Sequence, residues 1–167
     1  PPRMNFHLGN AFDDGNTTRL DAVLHEGDPL RELGSLMRGE LQKNEPNRAY
    51  TVQITLDYSR KKATESRLFG VSEFPRVMPQ VVGVRHRRLA VLSVSPGSTF
   101  DVPDEVHLIN TDSGKTDSYR FGTGWQVEEH VLVPRRNARS ETDGYLVGVA
   151  QNTALNQTVL SVFDAAR

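Results

Sequence analysis

Short apolar runs that alternate with polar residues, each closed by a turn, dominate this chain and commit it to β-structure. Tyr50, Val52, Ile54 and Leu56 alternate with Thr51, Gln53, Thr55 and Asp57, the pattern of a strand with one buried face. Residues 89–94 form a more continuous apolar run, as expected of a strand covered on both sides. Residues 106–110 lead into Thr111-Asp112-Ser113-Gly114-Lys115, where the glycine suits a turn, and residues 118–121 read as the returning strand. Residues 131–133, 145–149 and 159–163 extend the meander, with turn signals at Thr142-Asp143-Gly144 and at 152–156. Strands spaced about ten residues apart imply a sandwich, a barrel or a propeller. The pattern does not choose among them, and no repeat of about 40–50 residues is visible. One stretch breaks the rhythm. Asp28-Pro29 supplies an N-cap and a first-turn proline, and Leu30, Leu33, Leu36, Met37 and Leu41 recur at helical spacing. This predicts one short inserted helix over 29–43, its apolar stripe packed on the core.

The 167 residues suffice for one domain with a buried core. Twenty basic against 21 acidic side chains leave a net charge of -1, so no overall basic field recruits nucleic acid or anionic lipid. The runs Arg60-Lys61-Lys62 and Arg85-His86-Arg87-Arg88 lack interleaved aromatics and read as solvated strand ends, with His86 on the surface. The absence of cysteine excludes disulfides, thiolate metal sites and a cysteine nucleophile. No apolar stretch approaches the roughly 20 residues that span a bilayer, so no transmembrane segment is expected. The start, Pro1-Pro2-Arg3-Met4-Asn5, has neither an initiator methionine nor a signal-peptide core, and the chain is expected to be a piece of a longer protein.

The chemistry-bearing residues are few. His7 lies between Phe6 and Leu8, and a neutral imidazole is a common nitrogen ligand for iron or zinc when its second nitrogen is held by a carboxylate or carbonyl. On spacing alone it reads first as a packed or partly exposed strand residue. Asp13-Asp14-Gly15 is a hairpin turn by composition and lacks the alternating oxygen ligands of a calcium loop. Glu73 precedes Phe74-Pro75, and the proline marks an edge or an end of pairing. Glu129 competes with its neighbour Glu128, which strand alternation should turn to the other face. His25 opens no zinc-helix motif, His107 and His130 read as structural strand residues, and no Gly-x-Ser-x-Gly elbow occurs. A zinc hydrolase therefore lacks a second ligand.

Three segments in order change this reading. Phe6-His7, Asn10-Ala11, Phe12, Asp13-Asp14 and Gly15, then Glu73-Phe74-Pro75, then Glu129 through Val133-Pro134-Arg135 resemble the C-terminal part of the carotenoid cleavage oxygenases. That family includes the bacterial lignostilbene dioxygenases and the retinoid isomerohydrolase of the eye. The resemblance runs from about Phe6 to Asp164. It implies an all-β fold, a seven-bladed β-propeller with iron on its axis, of which residues 1–167 form a single segment covering about the last three blades. The N-terminal blades and the final closing segment would lie outside it.

The resemblance further implies an Fe(2+) cofactor, dioxygen as co-substrate, and cleavage of a carbon–carbon double bond in a carotenoid, apocarotenoid or stilbene to carbonyl products. His7 would be a metal ligand, Glu73 and Glu129 acceptors behind ligand histidines, and Phe6 and Phe74 apolar lining. The family uses four histidine ligands, and only one is placed here, so the isolated chain is expected to be inactive. The missing part of the propeller is an expected partner. The expected location is cytoplasmic, with peripheral membrane contact left open because the substrates dissolve in membranes. The alternative from another class is a non-catalytic interaction module or a degenerate relative that kept the fold and lost the metal.

Overall fold

The alternating runs form three antiparallel sheets in chain order in a computed structural model that describes residues 3–40, 49–96, 98 and 102–166. The first sheet is a four-stranded meander of β1 (Met4–Asp14), β2 (Thr17–His25), β3 (Ala49–Asp57) and β4 (Lys62–Val71). Asp14 pairs with Thr17, so Gly15 and Asn16 make a two-residue loop, and Gly15 takes the positive φ of 62° that such a turn requires. The second meander is β5 (Glu73–Arg76), β6 (Arg88–Ser93), β7 (Glu105–Asn110) and β8 (Thr116–Arg120).

The third sheet centres on β11 (Gly144–Asn152), with β12 (Gln157–Asp164) along the whole of one side. β9 (Trp125–Val127) and β10 (Val131–Pro134) pair with opposite ends of β11, so they share its other edge end to end. Three successive small meanders are the building plan of a propeller. They leave the assembly open, and the outer strand β12 carries Leu160 at 69% exposure.

The continuous apolar run at 89–94 is covered on both faces. Leu89 and Val91 pack with Val77 and Ile109, while Ala90 and Leu92 pack with Met78 after β5 and with Leu108, Leu132 and Leu146 of the second and third sheets. Full burial of each large aliphatic side chain contributes about 1.5–3 kcal/mol, so this interface is the apolar centre of the fold.

Two expectations are corrected. The helix α1 spans Pro29–Met37, with the Asp28 carboxylate accepting from the Arg31 N–H at 3.1 Å and Gly39, at φ 72°, ending it. Residues 41–48, including Leu41, lie outside the described residues. Contrary to the expected core contact, Leu30, Leu33 and Met37 of its stripe are exposed, while Ser35 is buried. His86, expected on the surface, is buried, because Asp21 of β2 is also fully buried and draws the ring inward to 2.9 Å. That contact is bent from the N–H direction. Asn10 secures the same place, its amide donating to the Val81 and Val84 carbonyls at 3.0 Å and its oxygen accepting from Gly83 N–H at 2.9 Å.

The other two strand histidines sit as expected of structural residues. His107 lies between Ser93 Oγ at 2.6 Å and Ser118 Oγ at 2.7 Å, and His130 between Ser161 Oγ at 2.6 Å and the Glu128 carbonyl at 2.8 Å. The His130 ring occupies the place of a side chain at Gly148, whose Cβ would stand 2.3 Å from Nδ1. Gly148→Ala is therefore expected to cost about 1–3 kcal/mol by overpacking, read as a lowered urea midpoint. Burial holds both imidazoles below the ordinary histidine value, against the opposing pull of Glu105 on His107 and of the Glu128 carbonyl on His130. The unfolded chain then takes up these protons first. Stability should be complete above about pH 6.5 and should fall as the pH drops below it, checked by urea unfolding at several pH values.

Candidate metal centre

The candidate site lies where β1 of the first sheet meets β5 of the second, and a glycine permits the approach. A Cβ on Gly9 would stand 3.1 Å from Pro75 Cβ, 3.2 Å from Asp21 Cβ and 3.3 Å from Leu89 Cδ1. With no side chain there, β1 runs close along β5 and His7 comes opposite Glu73. Their contact is Glu73 Oε2 to His7 Nδ1 at 3.0 Å.

Two consecutive residues of one regular strand point to opposite faces. Here both reach the same ring. Phe74 has φ 55°, and the β5–β6 register slips between Glu73 and Arg76, on an edge strand that tolerates Pro75. The Phe74 ring accordingly lies against His7 with centroids 4.7 Å apart, tilted by 41°. A bulky residue at positive φ costs on the order of 1–3 kcal/mol and persists only where the surroundings enforce it.

The second oxygen of Glu73 faces another histidine. His25 Nε2 lies 2.8 Å from Oε1, with its N–H directed off that line. Phe6 stands edge-on to His25, centroids 5.0 Å apart at 81°. His7, Glu73, Phe6 and Phe74 are thus brought together, and His25 joins them although its local sequence pattern suggested no role. The discoverable signal is the hairpin: folding the chain about Gly15-Asn16 brings His25 to the same end of the β1–β2 ladder as His7.

Glu129 stands elsewhere. It ion-pairs with Arg76, linking the second and third sheets, and reaches none of the five histidines within hydrogen-bond range. Glu128, with an exposed side chain, donates its backbone N–H to the Val149 carbonyl. The two glutamates fall between β9 and β10, outside regular strand pairing.

Among the described residues no group of three or more histidine, aspartate or glutamate side chains is placed to hold a metal ion. The donor chemistry nevertheless fits one ligand position. With Nδ1–H donated to a carboxylate, His7 presents the lone pair of Nε2, which has no hydrogen-bond partner among the described residues, and its side chain is 37% exposed.

A family model described as Retinal pigment epithelial membrane protein matches residues 1–167. The chain belongs to this family. The apocarotenoid-15,15'-oxygenase of Synechocystis sp. is 27% identical over 165 residues, covering 96% of this chain and 33% of that protein. The lignostilbene-alpha,beta-dioxygenase isozyme III of Sphingomonas paucimobilis is also 27% identical, over 95% of this chain and 35% of its own length. The chain therefore spans about a third of the length of these relatives.

Among solved structures, cobalt-substituted apocarotenoid oxygenase from Synechocystis superposes with a TM-score of 0.80 at 20% identity, covering 98% of this chain and 34% of that one. Pseudomonas brassicacearum lignostilbene dioxygenase gives 0.81 at 20% identity, covering 98% and 36%. These likenesses establish the fold, and the family match bears out the resemblance read from the three segments. Gly9→Val is expected to push β1 from β5, costing about 1–3 kcal/mol. The accompanying sign is loss of the protected His7 Nδ1–H in histidine NMR.

Proposed function

We propose that this chain is the C-terminal portion of an iron(II)-dependent oxygenase that cleaves a carbon–carbon double bond in an apolar polyene or stilbene with dioxygen. The carrying observation is the Glu73-held imidazole of His7, whose outward Nε2 lone pair lies at the junction of two sheets. The related oxygenase and dioxygenase names supply the substrate classes, apocarotenoid and lignostilbene. Iron(II), when bound, would supply the coordination chemistry that lets dioxygen react with an alkene.

The chain's own contributions follow from its geometry. His7 would be one ligand. Glu73 fixes its ring orientation and tautomer, and brings a negative charge close to a divalent centre. Phe74 against His7 and Phe6 against His25 keep that side of the ring apolar, as a substrate without polar handles requires. Glu129 would stand behind a histidine supplied from outside this chain. Its present partner Arg76 is partly solvated, and such pairs contribute less than about 1 kcal/mol, so the carboxylate is readily redirected.

A single imidazole is far short of a binding site, so on this reading the remaining ligands would be supplied from outside these 167 residues. The test is iron content and product formation by the full-length protein, with an apocarotenoid and a stilbene as substrates. Wild type should hold stoichiometric iron and form carbonyl products. Glu73→Gln should lose about 10–100-fold in iron affinity or activity, and the isolated 167-residue chain should retain no stoichiometric iron. Full activity after His7→Ala would sink the assignment.

A further inference from the structure

We propose that His25 is a positioning residue for the His7 imidazole, acting through the far oxygen of Glu73; this rests on reading His7 as a metal ligand. The two oxygens of Glu73 are divided between two rings, Oε2 to His7 Nδ1 at 3.0 Å and Oε1 to His25 Nε2 at 2.8 Å. A glutamate held at one oxygen can turn about its terminal torsion and swing on its flexible stem. Contacted at both, on the His25 side by a close ion-pair approach, it has less freedom to turn away from His7.

His25 is built as an anchor. The residue is 3% exposed, it ends β2 with Met4 and Ala49 as ladder partners, and the Phe6 ring meets it in a T-shaped contact. His7, in contrast, is more than a third exposed. The immobile ring therefore steadies the accessible one.

The same contacts favour one tautomer of each ring. An ionised carboxylate only accepts hydrogen bonds, so both ring nitrogens that face it carry hydrogen. His7 is then the Nδ1–H tautomer, with the lone pair on outward Nε2. His25 is the Nε2–H tautomer, which leaves Nδ1 as a bare acceptor. Both His25 nitrogens are buried without an aligned hydrogen bond, and Nε2 is the one that faces an acid, Glu73 Oε1 at 2.8 Å. The opposite tautomer would bury an unpartnered N–H and turn a lone pair toward the carboxylate, which is the costlier arrangement.

The test uses the intact protein in metal-free form with 15N-labelled histidine, followed by cobalt(II) titration. Wild type should show His7 as Nδ1–H and His25 as Nε2–H. His25→Phe keeps a ring under Phe6 but removes the donor. It should give a mixed tautomer at His7 and about tenfold weaker cobalt binding. His25→Gln restores a donor and should recover the wild-type His7 signal and most of the affinity. A His25 ring found as Nδ1–H in wild type overturns the proposal without any variant, even if the phenylalanine variant fails to fold. Equal impairment of the two variants, or a phenylalanine variant indistinguishable from wild type, overturns it as well. Unchanged cobalt affinity in His7→Ala would instead defeat the metal reading, while leaving the tautomer result standing.

Discussion

One carboxylate, Glu73, joins the first sheet to the second at the place where function is read. Both histidines it meets come from the β1–β2 hairpin, and Glu73 itself comes from β5. A shift of one sheet against the other by about an ångström would lengthen both contacts beyond hydrogen-bond range. The contacts therefore report the docking of the two sheets, and the docking makes the site.

The two inter-sheet junctions differ in what accompanies their apolar packing. Between the second and third sheets the contact is apolar, with Met78, Leu92, Leu108, Leu132 and Leu146 in one cluster. Apolar packing is strong but tolerant of sliding when volume is conserved. Between the first and second sheets, Leu68 and Phe69 of β4 pack on the Leu89, Val91 and Ile109 cluster, and buried polar groups are added to it: Asp21 with His86, Asn10 on the loop at 81–84, Glu73 with its two histidines. Such groups are costly when mispaired, so they penalise every docking angle but one. The junction that carries the candidate site is the one with buried polar contacts.

Much of the fold was legible because period-two alternation is a local property. The strand at 89–94 showed its double-sided burial as an unbroken apolar run, and Asp28-Pro29 marked the helix start through capping chemistry that involves only neighbours. What failed was long-range. His86 looked like part of a basic, solvated run, because its partner Asp21 lies 65 positions earlier and neither residue's surroundings announce the pairing. The helix stripe looked like a core face, but amphipathicity does not say what a face meets. Phe74 is the sharpest case. Its positive φ cannot be anticipated from an aromatic side chain that disfavours it, and it is this turn of the backbone that lets two successive residues of β5 address one ring.

That strained residue explains why the acid and the aromatic are neighbours in sequence at all. A ligand imidazole needs a polar grip on one nitrogen and an apolar wall along its face, and two regular strands would be needed to deliver both. The bulge in β5 delivers them from adjacent positions, at a conformational cost of about 1–3 kcal/mol. The cost is sustainable because Gly9 lets β1 lie against Pro75, and the close approach clamps the bulge from outside. Gly9, Phe74 and Pro75 carry no metal chemistry of their own. They are nonetheless the residues through which backbone geometry decides whether His7 has its orienting partner, so the site's chemistry is set by how closely two strand edges can approach.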